Sequence, residues 1–131
     1  MDRQTLEREM TAWRRDFHVH PEFGFEERRT SAFVAAKLRE LGLEVAEGIG
    51  GTGVVGTLKR GTSNRSIALR ADMDALRIQE QGTCGYASKY PGVMHACGHD
   101  GHTAMLLGAA AILAAEGEFD GTVRFDVTIS V

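Results

Sequence analysis

The second half of the chain sets out a strand, a helix and a strand. "SIALRADMDAL" (66–76) begins as a largely apolar strand and ends in acid, "DGHTAMLLGAAAILAAEG" (100–117) is a strong helix, and "GTVRFDVTISV" (121–131) alternates like a strand over part of its length. That succession implies at least one crossover joining parallel neighbours in a single sheet. The apolar start of 66–76 suits a strand buried on both faces. The expected architecture is therefore a single α/β layer structure, a mixed sheet flanked by helices.

Upstream, Leu6, Met10, Trp13 and Phe17 recur at i, i+4, i+7 and i+11, which places one apolar stripe on a helix ending near Phe17. Pro21 and Gly24 interrupt it. A second helix is predicted from about Glu26, with Phe33, Val34, Leu38 and Leu41 inward and Gly42 as its left-handed cap. "LEVAEGIGGTGVVGTLKRG" (43–61) reads as two short strands about a glycine-rich turn. Its "GIGGTG" opens a strand and lacks the Lys-Ser/Thr pair of a phosphate loop. Residues 77–93 read as a long loop. On the last helix Met105, Ala109, Ile112 and Leu113 form the predicted inward stripe, and Asp100 is the predicted N-cap.

A chain of 131 residues with 43% hydrophobic and 25% charged side chains can build one real core. Its net charge of -3, with basic residues scattered, argues against a nucleic-acid partner. No apolar run approaches the roughly 18 residues needed to span a bilayer, and "MDRQTLEREM" is too charged for a signal peptide. A cytoplasmic protein without a membrane partner is expected. Two cysteines in such a chain are expected to be reduced, Cys84 serving as packing and Cys97 free as a ligand.

The densest chemistry lies in "GVMHACGHDGHTAM" (92–105), which holds three of the five histidines. If 95–99 is extended, His95, Cys97 and His99 point to one side and converge on one ion. A thiolate and a neutral imidazole suit zinc or a similar borderline metal. Gly98 permits a sharp turn, and the positive end of the following helix favours the thiolate. Asp72 and Asp74, two apart at the carboxyl end of a strand, either bind metal directly or orient a histidine through its second ring nitrogen. His102 lies in the same stretch. "FHVHPEFGFEE" (17–27) brings His18, His20, Glu22, Glu26 and Glu27 together, and reads as a helix end and proline-broken loop with a structural role, His20 lining a pocket.

Several stretches, in order and spacing from about Trp13 to Phe125, carry a resemblance. "RRDFHVHPEFGFEERRTSAFVAAKLRELGLEV", "GGTGVVG", "SIALRADMDAL", "PGVMHACGHDGHTAMLLGAA" and "FDGTVRF" resemble the amino-terminal part of the metal-dependent amidohydrolase and aminoacylase family of metallopeptidases. The similar branch includes hippurate hydrolases, N-acyl-amino-acid hydrolases and auxin-conjugate hydrolases. The resemblance implies an α/β metallohydrolase catalytic domain with two divalent metals (zinc, manganese or cobalt) and an inserted dimerisation domain. It implies that Cys97 and His99 are metal ligands, with Asp74 and Asp100 in support, as Asp72, His95 and His102 are from their position. Water activated by metal would attack the amide of an N-acyl amino acid, with a glutamate as general base.

The family draws that glutamate from a Glu-Glu pair after the strand matching "TVRF", and further histidine ligands from later still. Residues 1–131 are thus expected to be the amino-terminal part of the catalytic domain, without the inserted domain or the later ligands. The sequence also departs from the family at Asp126 and at Arg77, where proline is usual. A catalytic zinc takes three protein ligands, so weak metal binding and no appreciable hydrolysis are expected from this chain alone. The alternative reading is a noncatalytic metal-binding or interaction module. The last strand is expected to leave an exposed edge that favours a homo-oligomer.

Overall fold

The computed structural model describes residues 2–129. Its elements run α1 (Arg3–Val19), α2 (Arg28–Glu40), β1 (Glu44–Ile49), β2 (Gly53–Arg60), β3 (Ser66–Asp72), α3 (His99–Glu116) and β4 (Gly121–Thr128). The strands form one sheet in the order β1-β2-β4-β3. β1 pairs antiparallel with β2 and β2 with β4, whereas β3 and β4 are parallel, as the strand-helix-strand succession requires.

Alternation along the strands decides which face is covered. Val54 and Leu58 of β2 and Val123, Phe125 and Val127 of β4 are buried. They join Phe17 of α1, Val34 and Leu38 of α2, and Leu107 and Ala110 of α3 in one cluster. Next to them in sequence, Lys59 and Arg124 are exposed on the opposite side of their strands. Helix ends are satisfied locally: Asp2 accepts from Gln4 N and Thr5 N, and Gly42 takes φ +88° just past α2. The first turn of α2 is served by the Glu22 carboxylate, which accepts from Arg29 N at 3.0 Å and Thr30 N at 2.7 Å.

Several expectations are corrected. β3 is an edge strand: Ile67 is 62% exposed, so the strand is not buried on both faces. Apolarity of a run does not report how many neighbours the sheet supplies. β4 lies inside the sheet, and the edges are β1 and β3. α2 begins at Arg28, two residues later than predicted, with Glu27 as its N-cap. On α3 the buried residues are His99, Asp100, Thr103, Ala104, Leu106, Leu107, Gly108, Ala110 and Ala111, while Met105 is 57% exposed. This helix packs against α1 as well as the sheet, and an almost wholly apolar sequence gives no periodicity from which to choose a face. Cys84 is exposed in the 77–93 loop and is not a packing residue.

Candidate metal centre

β3 ends at Asp72, and the chain then makes a long excursion before re-entering as α3 at His99. The two limbs of the excursion are tied by Leu76 N to Met94 O at 2.9 Å and Met94 N to Leu76 O at 3.0 Å. The acids after β3 are thereby held beside the histidines before α3. Gly98 is the N-cap of α3 at φ +89°, so the chain bends at 97–98 and does not run extended from His95 to His99. Asp100 is not the N-cap, because its carboxylate is spoken for by α1.

His99 is buried, and its Nδ1 faces the Asp74 backbone oxygen at 2.8 Å and Asp74 Oδ1 at 3.1 Å. With the proton on Nδ1, the Nε2 lone pair faces Asp72 Oδ2 at 3.3 Å. Two electron-rich atoms at that separation call for a proton or a cation between them. His102, three residues along the same helix, brings Nδ1 to 2.7 Å from Asp72 Oδ1. The ligand atoms of Asp72, His99 and His102 lie within 4.8 Å of one another. The donor set of one carboxylate and two imidazoles fits a divalent transition metal. Burial raises the Asp72 pKa, but the hydrogen bond from His102 and the attraction of His99 in its protonated form outweigh it and hold the carboxyl below its usual range.

The other predicted residues divide into those joined to this cluster and those apart from it. Cys97 is exposed, and its sulfur is outside the three-residue group. Asp100 is buried, and its Oδ2 accepts from Arg14 Nε at 2.9 Å and faces His18 Nδ1 at 2.9 Å. The other nitrogen of His18 faces Glu80 Oε1 at 3.0 Å, giving His18 the structural role expected for its stretch. Glu80 was not foreseen. It sits in the irregular loop, 62 residues from its partner, and no local pattern announces it. His20 lines a surface cavity of about 310 Å3 with Glu22, Phe23 and Tyr90, away from the Asp72 cluster's own residues. Glu27 is fully buried and accepts from Glu26 N and Thr52 Oγ1; burial pushes its carboxyl up.

His95 is buried with neither ring nitrogen bonded to a partner among the described residues. Burial pushes its pKa from 6.5 down to about 4, within electrostatic reach of Asp100, His18, His99 and Asp74. Because the folded value lies below the unfolded one, the unfolded state binds the extra proton between these two values. Stability therefore falls as pH drops from about 6.5 toward about 4. Urea midpoints at pH 7 and pH 4.5 should differ less in His95→Phe than in the parent chain; an equal difference would refute the assignment.

Gly98→Ala tests the turn that sets His99. No atom lies within 4 Å of the added Cβ, so the cost is conformational alone, about 1–2 kcal/mol at positive φ. Urea unfolding should show that loss, and an unchanged midpoint would contradict it.

A parallel strand-helix-strand unit thus brings carboxylates and imidazoles together at the carboxyl end of a strand, where α/β sheets place their ligands. Comparison with known proteins makes this specific. The sequence profile of peptidase family M20/M25/M40 matches residues 68–129. The hippurate hydrolase of Campylobacter jejuni is 53% identical over 119 residues, covering 91% of this chain and 31% of that protein. The N-acyl-L-amino acid amidohydrolase of Geobacillus stearothermophilus is 50% identical over 119 residues, covering 89% and 32%. A crystal structure from Bacillus subtilis, described as a dinuclear metal binding peptidase from the M20 family, superposes with a TM-score of 0.90 at 41% identity, covering 96% of this chain and 36% of that one. Over most of its length the chain is similar to members of the M20 peptidase family. It spans about a third of the length of these relatives.

Proposed function

We propose that residues 1–131 form the amino-terminal part of the catalytic domain of a metal-dependent amidohydrolase that cleaves the amide of N-acyl amino acids. The observation that carries the reading is His99: a buried imidazole oriented by Asp74 through Nδ1 that presents Nε2 at the end of a parallel strand. The relatives' names support the substrate class, since hippurate hydrolase, N-acyl-L-amino acid amidohydrolase and indoleacetate-amino acid hydrolase all name an acyl group joined to an amino acid.

In this reading zinc, manganese or cobalt supplies a Lewis acid at the amide carbonyl and an acidified water. His99 and, on the family pattern, Cys97 hold the ion. Asp74 fixes the His99 tautomer, Asp100 anchors the start of α3 to α1, and Asp72, His95 and His102 surround the site. On the family pattern the general-base glutamate follows the strand matching "TVRF", and the inserted dimerisation domain comes later still. The chain alone should bind metal and leave amides intact. Exposed free thiols at Cys84 and Cys97 suit the cytoplasm, and the open β3 edge suits a homo-oligomer. Among the described residues no helix is long and apolar enough to cross a membrane.

The test replaces the matching segment of the Campylobacter jejuni relative with this chain and measures hippurate hydrolysis with added metal. Turnover lost on Cys97→Ala supports the hydrolase reading. A folded, metal-loaded chimera without turnover supports a noncatalytic module instead.

A further inference from the structure

We propose that the surface cavity between the end of α1 and the 77–93 loop binds a free α-amino acid with an apolar side chain, held as its zwitterion. Naming that amino acid as the amine released by the reaction rests on the reading of the chain as an N-acyl amino acid hydrolase. The site itself rests on the cavity.

Three segments tied to one another build it. α1 closes on His20 as its C-cap, Pro21 turns the chain, and the Glu22 backbone oxygen accepts from Ala75 N at 2.8 Å. On the other side Lys89 N donates to Val19 O at 3.0 Å, which sets Tyr90 beside His20 with ring centroids 6.3 Å apart. The space is about 310 Å3, at the small end of the roughly 300–1,000 Å3 of ligand pockets. Pro21, Phe23, Tyr90 and Val93 give it apolar walls.

The charges select the ligand. Glu26 and Arg29 both line the cavity, yet they do not pair with each other. Arg29 Nη2 donates to Asp16 at 2.9 Å, leaving Nε and Nη1 to donate elsewhere, and the Glu26 carboxylate has no partner among the described residues. His20 Nδ1 lies 3.1 Å from Asp16 O, so with the proton there Nε2 is left as an acceptor. Arg77 adds a second cation at the rim, its guanidinium 4.0 Å from the Phe23 ring centroid. Proline is usual at that position in the similar family, so this cation belongs to this chain in particular.

One ligand answers all of these groups. Its ammonium donates to the Glu26 carboxylate and His20 Nε2, its carboxylate accepts from Arg29 and Arg77, and its apolar side chain lies against Phe23 and Tyr90. Acylation of the amine removes the positive charge and leaves Glu26 facing an uncharged amide. The cavity therefore favours the free amino acid over its N-acyl form.

Calorimetric titration of the full chain with L-phenylalanine as probe tests this, with EDTA present so that metal chelation by the amino acid contributes no heat. A single L-phenylalanine should bind per chain in the millimolar range, since exposed charges contribute modestly. N-acetyl-L-phenylalanine, which lacks the ammonium, and phenethylamine, which lacks the carboxylate, should each bind at least about fivefold more weakly. That comparison uses the parent chain alone and needs no variant to fold. Glu26→Gln should bring L-phenylalanine down to the affinity of the N-acetyl compound, and Arg77→Ala should weaken it about threefold. Equal affinity for the free and N-acetyl amino acids, or no L-phenylalanine binding in the millimolar range, would overturn the proposal. Either result leaves the hydrolase reading to be decided by turnover in the chimera, and a chimera without turnover leaves the amino-acid site standing.

Discussion

His99→Ala is expected to abolish stoichiometric zinc or cobalt binding, weakening affinity by more than the roughly 10–100-fold typical of losing a residue that only supports a ligand. His99 is shared by the pair that the family pattern implies and by the Asp72–His99–His102 cluster. Its ring is buried and locked at Nδ1 by Asp74, so no neighbouring side chain can swing into the vacated place without rebuilding the start of α3. Asp74→Ala should fall between parent and His99→Ala, since it frees the ring without removing the ligand. His20→Ala, in the separate cavity bounded by Tyr90, should bind as the parent does. Calorimetric titration checks all three. Affinity retained within about tenfold in His99→Ala would remove the basis of the site.

The second large effect is on stability. Phe125→Ala should cost about 3–5 kcal/mol, because Phe125 is fully buried in β4, an interior strand flanked by β2 and β3. The cavity would open in the cluster that includes Phe17, Leu38 and Leu107, which holds all three helices to the sheet. Domains of this kind are stable by about 5–15 kcal/mol, so the loss is a large part of the whole. The neighbouring exposed Arg124, replaced by alanine, should change stability by no more than about 0.5 kcal/mol. Urea unfolding followed by circular dichroism separates the two; equal effects at 124 and 125 would contradict the strand's assigned facing.

These contrasts show where sequence is informative and where it stops. The stripe ending at Phe17, the helix closed by Gly42 and the hairpin of β1 and β2 follow from short-range pattern, since each depends on residues close in sequence, whereas the parallel pairing of β3 with β4 joins distant segments and follows from the strand-helix-strand succession. The facing of α3 was not legible because its sequence is apolar on every side and only its position between α1 and the sheet selects Leu107 over Met105. The exposure of β3 was not legible because sheet order is a property of the whole chain. At the site, Asp72, Asp74, His99 and His102 stood out by residue type and by their place at a strand end and a helix start. Which of them touch is a matter of pairs 25 and 30 residues apart, and period-two geometry misjudged it once Gly98 bent the chain. Asp100 shows the same limit: it has the composition of an N-cap, yet Arg14 and His18, from a helix far upstream, claim its carboxylate.

The most direct test of the account is anomalous diffraction at the zinc edge from crystals of this chain grown with zinc. The predicted result is one strong peak about 2.0–2.1 Å from His99 Nε2, on the side facing Asp72. A peak confined to the exposed thiols of Cys84 and Cys97 or to surface carboxylates, with none at His99, would contradict it.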